Sequence, residues 1–254
     1  MSSSSHGGNA SPQYSAELAF ALNLADRADA ISLSRYQALD LEITTKPDNS
    51  PVTDADKAVE RAIIDAIATK YPSDGVVGEE FGTSGSKDRY WVIDPIDGTK
   101  NFMRGVPTWA SLIALVENGE VVASVVSSPA LYRRWYASVG GGAFVVEGGS
   151  VKASPAPRKL TVSKVSQLSD ASITYSDFQG WGTRRQAFEK LLDGAWRTRG
   201  LGDFWSHMLV AEGAVDVAIE PSLALWDMAA LDLIVREAGG KFTSLDGVDG
   251  PFGP

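Results

Sequence analysis

Leu18, Leu22, Ala25 and Ala28 recur at helical spacing in a stretch with few breakers, which predicts a first helix over residues 15–38. A polar loop from Thr44 to Pro51 follows. Thr53 or Asp54 is then placed to cap a second helix, with Val59, Ile63, Ala66 and Ile67 on one face and Tyr71-Pro72 at its end. The pattern changes at Tyr90–Ile93, a continuous apolar run that predicts a buried strand stopping at Asp94-Pro95. Two apolar stretches over residues 110–127 flank Asn118-Gly119, a strong hairpin signal. Residues 134–138 and 143–146, around three glycines, predict another hairpin. Beyond residue 170 the units alternate. Strands are expected over 172–176, 196–201, 215–220 and 241–245, and helices over 184–192, 204–212 and 226–238.

Together these elements predict a mixed α/β (α+β) layered protein. Ser154-Pro155-Ala156-Pro157 is the best linker candidate, which divides the chain into an N-terminal α+β half, 14–152, and a C-terminal α/β half, 153–254. Residues 1–13 have the composition of a disordered tail. The tail has neither the basic start nor the apolar core of a secretory signal, and no run approaches about 18 apolar residues. A cytoplasmic protein is the expectation.

Composition then narrows the chemistry. The chain of 254 residues is 44 % hydrophobic and has no cysteine, which removes disulfides, thiolate metal sites and thiol nucleophiles. Of two histidines, His6 falls in the tail, and His207 lies among apolar residues on a helix, where packing is its expected role. The net charge of −9, from 32 acidic and 23 basic residues, argues against nucleic acid or an anionic membrane as partner. An acidic protein that handles an anionic substrate needs a cation in between.

Four local signals carry candidate chemistry. Asp94-Pro95-Ile96-Asp97-Gly98-Thr99 places two carboxylates three residues apart at a strand end. Such a turn can aim both carboxylates and the Ile96 carbonyl into one cavity, an oxygen set suited to Mg²⁺, with the Gly98 and Thr99 amides next to it for an anion. The same hexapeptide also reads as a plain Asp-Pro turn. Gly78-Glu79-Glu80 is a solvated strand end or the source of a third ligand. Thr53-Asp54-Ala55-Asp56 is a helix cap, unless Asp56 reaches a catalytic hydroxyl. An aspartyl-phosphate nucleophile is rejected there, because no hydrophobic strand precedes it. Trp226-Asp227, preceded by Glu220, opens an apolar helix, and capping explains Asp227 equally well.

Taken in order, Pro51-Val52-Thr53-Asp54-Ala55-Asp56, Gly78-Glu79-Glu80, Asp94 through Phe102 and Trp226-Asp227-Met228-Ala229 resemble the inositol monophosphatase superfamily of metal-dependent phosphomonoesterases. The resemblance runs from about residue 15 to the last residue. It implies a layered αβαβα sandwich of the inositol monophosphatase/fructose-1,6-bisphosphatase type, two to three Mg²⁺ ions per subunit and a homodimer. It also implies that Glu79, Asp94, Asp97, Asp227 and the Ile96 carbonyl bind metal, with Thr99, Asp56 and Glu79 acting on the attacking water. Gly98 and Thr99 would hold the phosphate of a small-molecule monoester, and Asp203 and Glu220 would face the leaving group.

Within the superfamily, Asp97 through Phe102, Gly202-Asp203-Phe204 and Ala211 through Asp216 are closer to the actinobacterial type of histidinol-phosphate phosphatase. That likeness implies hydrolysis of L-histidinol phosphate, whose ammonium and imidazole Asp203 and Glu220 would pair. The alternatives are an inositol-1-phosphate or broad sugar/nucleotide monophosphatase, and a non-catalytic metal-sensing partner protein. Lys100 departs from the residue commonest in inositol-type members, and the family's usual continuation is a further strand and helix beyond Gly250–Pro254.

Overall fold

The computed structural model describes residues 13–47, 49–148 and 156–252. The expected tail with His6, the 152/153 division and Ser154-Pro155 of the linker lie outside the described residues.

The chain opens with α1 (Ser15–Arg35), the short hairpin β1 (Ile43–Thr45) and β2 (Pro51–Thr53), and α2 (Asp54–Lys70). A large sheet follows. Its strands are β3 (Gly75–Gly78), β4 (Gly82–Ser84), β5 (Arg89–Asp97), β6 (Ala110–Glu117), β7 (Glu120–Ser128), β8 (Arg133–Ser138), β9 (Gly142–Glu147) and β10 (Arg158–Lys159), with the single-turn α3 (Thr99–Met103) after β5. The C-terminal part holds β11 (Ser172–Tyr175), α4 (Arg185–Asp193), β12 (Arg197–Gly200), α5 (Asp203–Ala211), β13 (Val217–Ile219) and α6 (Leu225–Glu237).

The large sheet runs β10-β9-β8-β7-β6-β5-β3-β4, and its one parallel pair is β3 with β5. Strand alternation sorts its side chains to two faces. Trp91, Ile93, Ile113 and Leu115 meet Leu24, Ala25 and Ala28 of α1 and Val59, Ile63 and Ile67 of α2. Val92, Leu112, Ala114, Val126 and Trp135 meet Phe204 and Met208 of α5 and the buried run Ala229–Val235 of α6. Beyond α5 and α6 lies the parallel sheet β12-β11-β13, followed by α4, whose Phe188 packs on Tyr175 and Trp181. This is the five-layer αβαβα arrangement. The C-terminal helices fill the core of the large sheet, and β10 joins it, so the two expected halves share one interior.

Local rules explain most boundaries. Asn118 and Gly119 both take positive φ, as the two-residue turn between β6 and β7 requires. Thr53, not Asp54, caps α2, in a reciprocal capping box with Asp56. Four expectations are corrected. β5 does not stop at Asp94-Pro95. It pairs with β6 from Arg89 to Asp97, and a bulge between Asp94 and Asp97 takes up the extra residue. Pro95 sits in that bulge, where no ladder N–H is needed, and its carbonyl accepts from the Ser111 hydroxyl at 2.7 Å. The expected strand at 241–245 reduces to one bridge, Thr243 with Asp249, because turns at Gly247 and Gly250 curl the segment on itself. α1 ends at Arg35, and its buried face runs through Ala21, Leu24, Ala25, Ala28, Asp29 and Ser32, with Leu18 and Leu22 at its flanks. Asp29 is admitted because it pairs with the buried Arg134 at 2.5 Å and accepts from Ser127.

Candidate active site

The parallel register of β3 and β5 brings the first acids together. Gly78 pairs with Ile93, so Glu79 and Asp94 leave adjacent strands at the same end, and the Glu79 amide donates to the Ile93 carbonyl at 3.3 Å. The bulge in β5 then carries Asp97 to the same end. α6 brings Asp227 from the other face of the sheet. It is the third residue of that helix rather than its N-cap, and it accepts from the Ala224 amide at 2.6 Å. One carboxylate oxygen from each of Asp94, Asp97 and Asp227 lies within 4.8 Å of the others. Glu79 is outside that triad, but its charge acts on all three acids and on Asp56.

The electrostatics are those of crowded, desolvated acids. Burial, then Glu79 and Asp97, raises the proton affinity of Asp94 well above the usual carboxylate range. Burial and then Asp203 and Asp227 do the same for Asp97, and burial pushes Asp227 up to about 6. Asp94 Oδ1 is buried with no hydrogen-bond partner. Three acids, one of them with an orphaned buried oxygen, form with the nearby Ile96 carbonyl an all-oxygen donor set, which is what a hard divalent cation takes. Thus the residues present fit a metal site.

Beside the triad, the Thr99 hydroxyl lies 3.2 Å from Asp56 Oδ1 and 3.0 Å from the Ile96 carbonyl, with its single proton available to either. Asp56 is fixed by Thr53, whose amide and hydroxyl donate to Oδ2 at 2.8 and 2.5 Å. One Asp56 oxygen therefore serves the cap of α2 while the other reaches the Thr99 hydroxyl, the contact that the functional reading requires. Gly98 takes φ +84°, and a Cβ there would stand 3.0 Å from the Thr108 carbonyl, so only glycine fits this turn into α3.

The rim is built by the C-terminal part. Gly202 is the N-cap of α5, and Asp203 is its first residue, at φ +52°. The Phe204 amide donates to Asp97 Oδ2 at 2.6 Å, and Asp203 Oδ2 accepts from Asn101 at 3.2 Å, which docks α5 onto the turn after β5. Glu220, just beyond β13, accepts from the Ser176 hydroxyl and is pushed up to about 7 by burial, with the Asp203 charge adding to it. A cavity of about 680 Å³ opens beside Glu220, between β13, Met228 of α6 and Phe242. His207 lines it too. The His207 ring packs 5.6 Å from Phe242, and burial lowers it to about 4, so it is a neutral packing residue as its sequence setting implies.

Three contributors were not visible in the sequence pattern. Lys46 Nζ reaches Glu79 Oε1 at 2.8 Å and Glu80 Oε1 at 2.5 Å from the turn between β1 and β2. Glu60, fully buried on α2, accepts the Glu80 and Phe81 amides at 2.8 and 2.9 Å and so fixes the loop that carries Glu79. A Cβ on Gly78 would collide with Glu60 Oε1 at 2.0 Å, which explains the glycine before the two glutamates. Asn101 lies inside a motif noted for other residues, and it ties Thr108 to Asp203. A charged residue on the inner face of α2 is the one signal that singles out Glu60.

Residues 13–252 match the Inositol monophosphatase family. The chain is 55 % identical over 240 residues to the histidinol-phosphatase of Mycobacterium tuberculosis, covering 93 % of this chain and 90 % of that protein. It is 52 % identical over 246 residues to the histidinol-phosphatase of Streptomyces coelicolor, covering 94 % and 91 %. Among solved structures, the IMPase of Thermotoga maritima superposes with a TM-score of 0.80 at 30 % identity, covering 92 % of this chain and 88 % of the other.

Proposed function

The chain belongs to the inositol monophosphatase family, and from that premise we propose that it is a cytoplasmic, Mg²⁺-dependent phosphomonoesterase that hydrolyses L-histidinol phosphate in histidine biosynthesis. The observation that carries the reaction class is the Asp94–Asp97–Asp227 triad, buried at Asp94 and half-buried at the other two, beside a Thr99–Asp56 hydroxyl–carboxylate pair. The substrate rests on the identity to two histidinol-phosphatases over most of both chains and on the two acids at the rim.

Asp94, Asp97, Asp227, the Ile96 carbonyl and Glu79 would hold two to three divalent ions. When bound, such ions neutralise the phosphate, lower the pKa of the attacking water and stabilise the leaving alkoxide. The protein's own part is positional. Thr99 gives its proton to Asp56, which leaves a hydroxyl lone pair free to take a proton from water, and Asp56 is the final acceptor. Thr53 fixes Asp56, so this path needs no rearrangement. The Gly98-Thr99 turn presents its amides to the phosphate oxygens. Asp203 and Glu220 face the departing alcohol. A substrate carrying an ammonium and an imidazole would bring positive charge to the desolvated Glu220 and add to that of Lys100 at Asp203. A homodimer is part of the same reading.

The test is genetic. A histidine auxotroph lacking its histidinol phosphatase should grow without histidine when this chain is expressed, and should not grow on the Asp94→Asn variant. Growth failure with well-expressed soluble protein would overturn the substrate.

A further inference from the structure

We propose that Lys46 is a resident cation of the acidic site: its ammonium neutralises Glu79 and Glu80 when no divalent ion is bound, and on metal binding it lets go of Glu79 and stays with Glu80. This rests on the reading of the cluster as a metal site.

Four observations carry it. First, Lys46 contacts both glutamates at once, at 2.8 and 2.5 Å, so it has a second partner to keep when it gives up the first. Second, the two glutamates stand in different settings. The Glu79 charge is felt by Asp56, Asp94, Asp97 and Asp227, while the Glu80 side chain is 5 % exposed and Glu80 Oε1 has only this ammonium. Third, the backbone that carries the two glutamates is pinned. Glu60 clamps the Glu80 and Phe81 amides, and the Glu79 amide is bonded to β5. Fourth, Lys46 directly follows β1, the outer strand of its hairpin, whose three residues are all exposed. The mobile partner of the pair is therefore the lysine. A paired glutamate then has a division of labour, with one carboxylate for the metal and one for the lysine.

The physics gives a signed consequence. A divalent ion drawn to Glu79 is repelled by an ammonium on the same carboxylate, and must displace a charge-assisted hydrogen bond. Lys46 thus weakens metal binding while stabilising the metal-free fold. If it instead only oriented Glu79 as a ligand, its loss would weaken metal binding.

The experiment is calorimetric titration of the full chain, stripped with chelator, with Mn²⁺ at low ionic strength. Lys46→Met should bind the ion about tenfold more tightly at the site that involves Glu79. Its Tm in chelator should fall, while its Tm with saturating Mn²⁺ should match wild type. Lys46→Arg keeps the charge and should titrate like wild type, and it serves as the measurable variant if Lys46→Met does not fold without metal. Unchanged or weaker affinity in Lys46→Met, a tighter-binding Lys46→Arg, or equal loss of Tm with and without metal, would overturn the proposal. Failure of wild type itself to bind Mn²⁺ would instead overturn the metal-site reading.

Discussion

Asp94 and Asp97 at the end of β5, and Asp203 and Glu220 on the side of the parallel sheet, are the same chemical group in two settings. The first pair rests on the large sheet, whose strands β5 to β8 are buried and covered on both faces. Its neighbours are other acids, and Asp94 Oδ1 has no donor at all. The second pair stands on short elements, Glu220 after the three-residue β13 and Asp203 at the first residue of α5. Asp203 accepts from Asn101 and feels the Lys100 charge, and Glu220 accepts from Ser176 while its Oε1 is buried without a partner. Acids packed against acids call for a divalent ion. Acids carried on short elements at the edge of that cluster fit an organic cation. On the proposed reading, the floor would account for the reaction and the rim for the choice of leaving group.

Substitutions at floor and rim should separate on this basis. Asp94→Asn should lower kcat/KM on every phosphate monoester by about 10³-fold and weaken metal binding in calorimetry, because it removes metal-derived stabilisation of several kcal/mol. Thr99→Ala or Asp56→Asn should lower kcat by about 10²- to 10³-fold with metal affinity kept, the signature of a lost proton path. A rim change should act through KM and only on cationic substrates. Glu220→Gln should raise KM for histidinol phosphate about tenfold and leave a neutral sugar phosphate nearly unaffected.

The pH dependence sharpens the same contrast. Glu220 is held up to about 7, so its ionised fraction grows as pH rises through that value. KM for histidinol phosphate should fall over this range in wild type and stay flat in Glu220→Gln. Asp203→Asn should have a smaller effect of the same selectivity, roughly threefold, because Asn also tolerates positive φ and keeps the contact region intact. Equal effects on charged and neutral substrates would remove the assigned role of either residue.

The smallest effect on catalysis is expected at His207, behind the rim. Its folded pKa of about 4 lies below the unfolded value of about 6.5, so the neutral form is favoured in the fold. The stability this confers is present above about pH 6.5 and is lost as pH falls towards 4, amounting to about 3 kcal/mol over that window. Thermal unfolding of His207→Gln should lose that slope in acid while kcat at neutral pH is kept.

Much of the floor was legible as a candidate because it is local: Asp94, Ile96, Asp97, Gly98 and Thr99 fall in one hexapeptide. A plain Asp-Pro turn was the competing reading there, and Asp227, far along the chain, read equally well as a cap until the motifs were taken in order. The strand's continuation through Pro95 was not legible, since a bulge depends on the register with β6. Lys46 was read only as part of a polar loop, because its partners lie 33 residues away and no periodicity links them. Glu60 sits in a charged stretch of α2 where solvent exposure is the ordinary reading, and only Gly78 on a neighbouring strand leaves room for it. The segment after residue 240 failed for a different reason: the short stretch with Phe242 and Leu245 was read as a strand, but the turns at Gly247 and Gly250 prevent an extended run.

The most direct test of floor and rim together is phosphate release from histidinol phosphate and from inositol 1-phosphate, side by side, first with Mg²⁺ and then with EDTA. The account predicts turnover that EDTA abolishes for both substrates and a kcat/KM strongly in favour of histidinol phosphate. Turnover unaffected by EDTA would contradict the reading of the Asp94–Asp97–Asp227 floor, and an equal or reversed preference would contradict that of the Asp203–Glu220 rim.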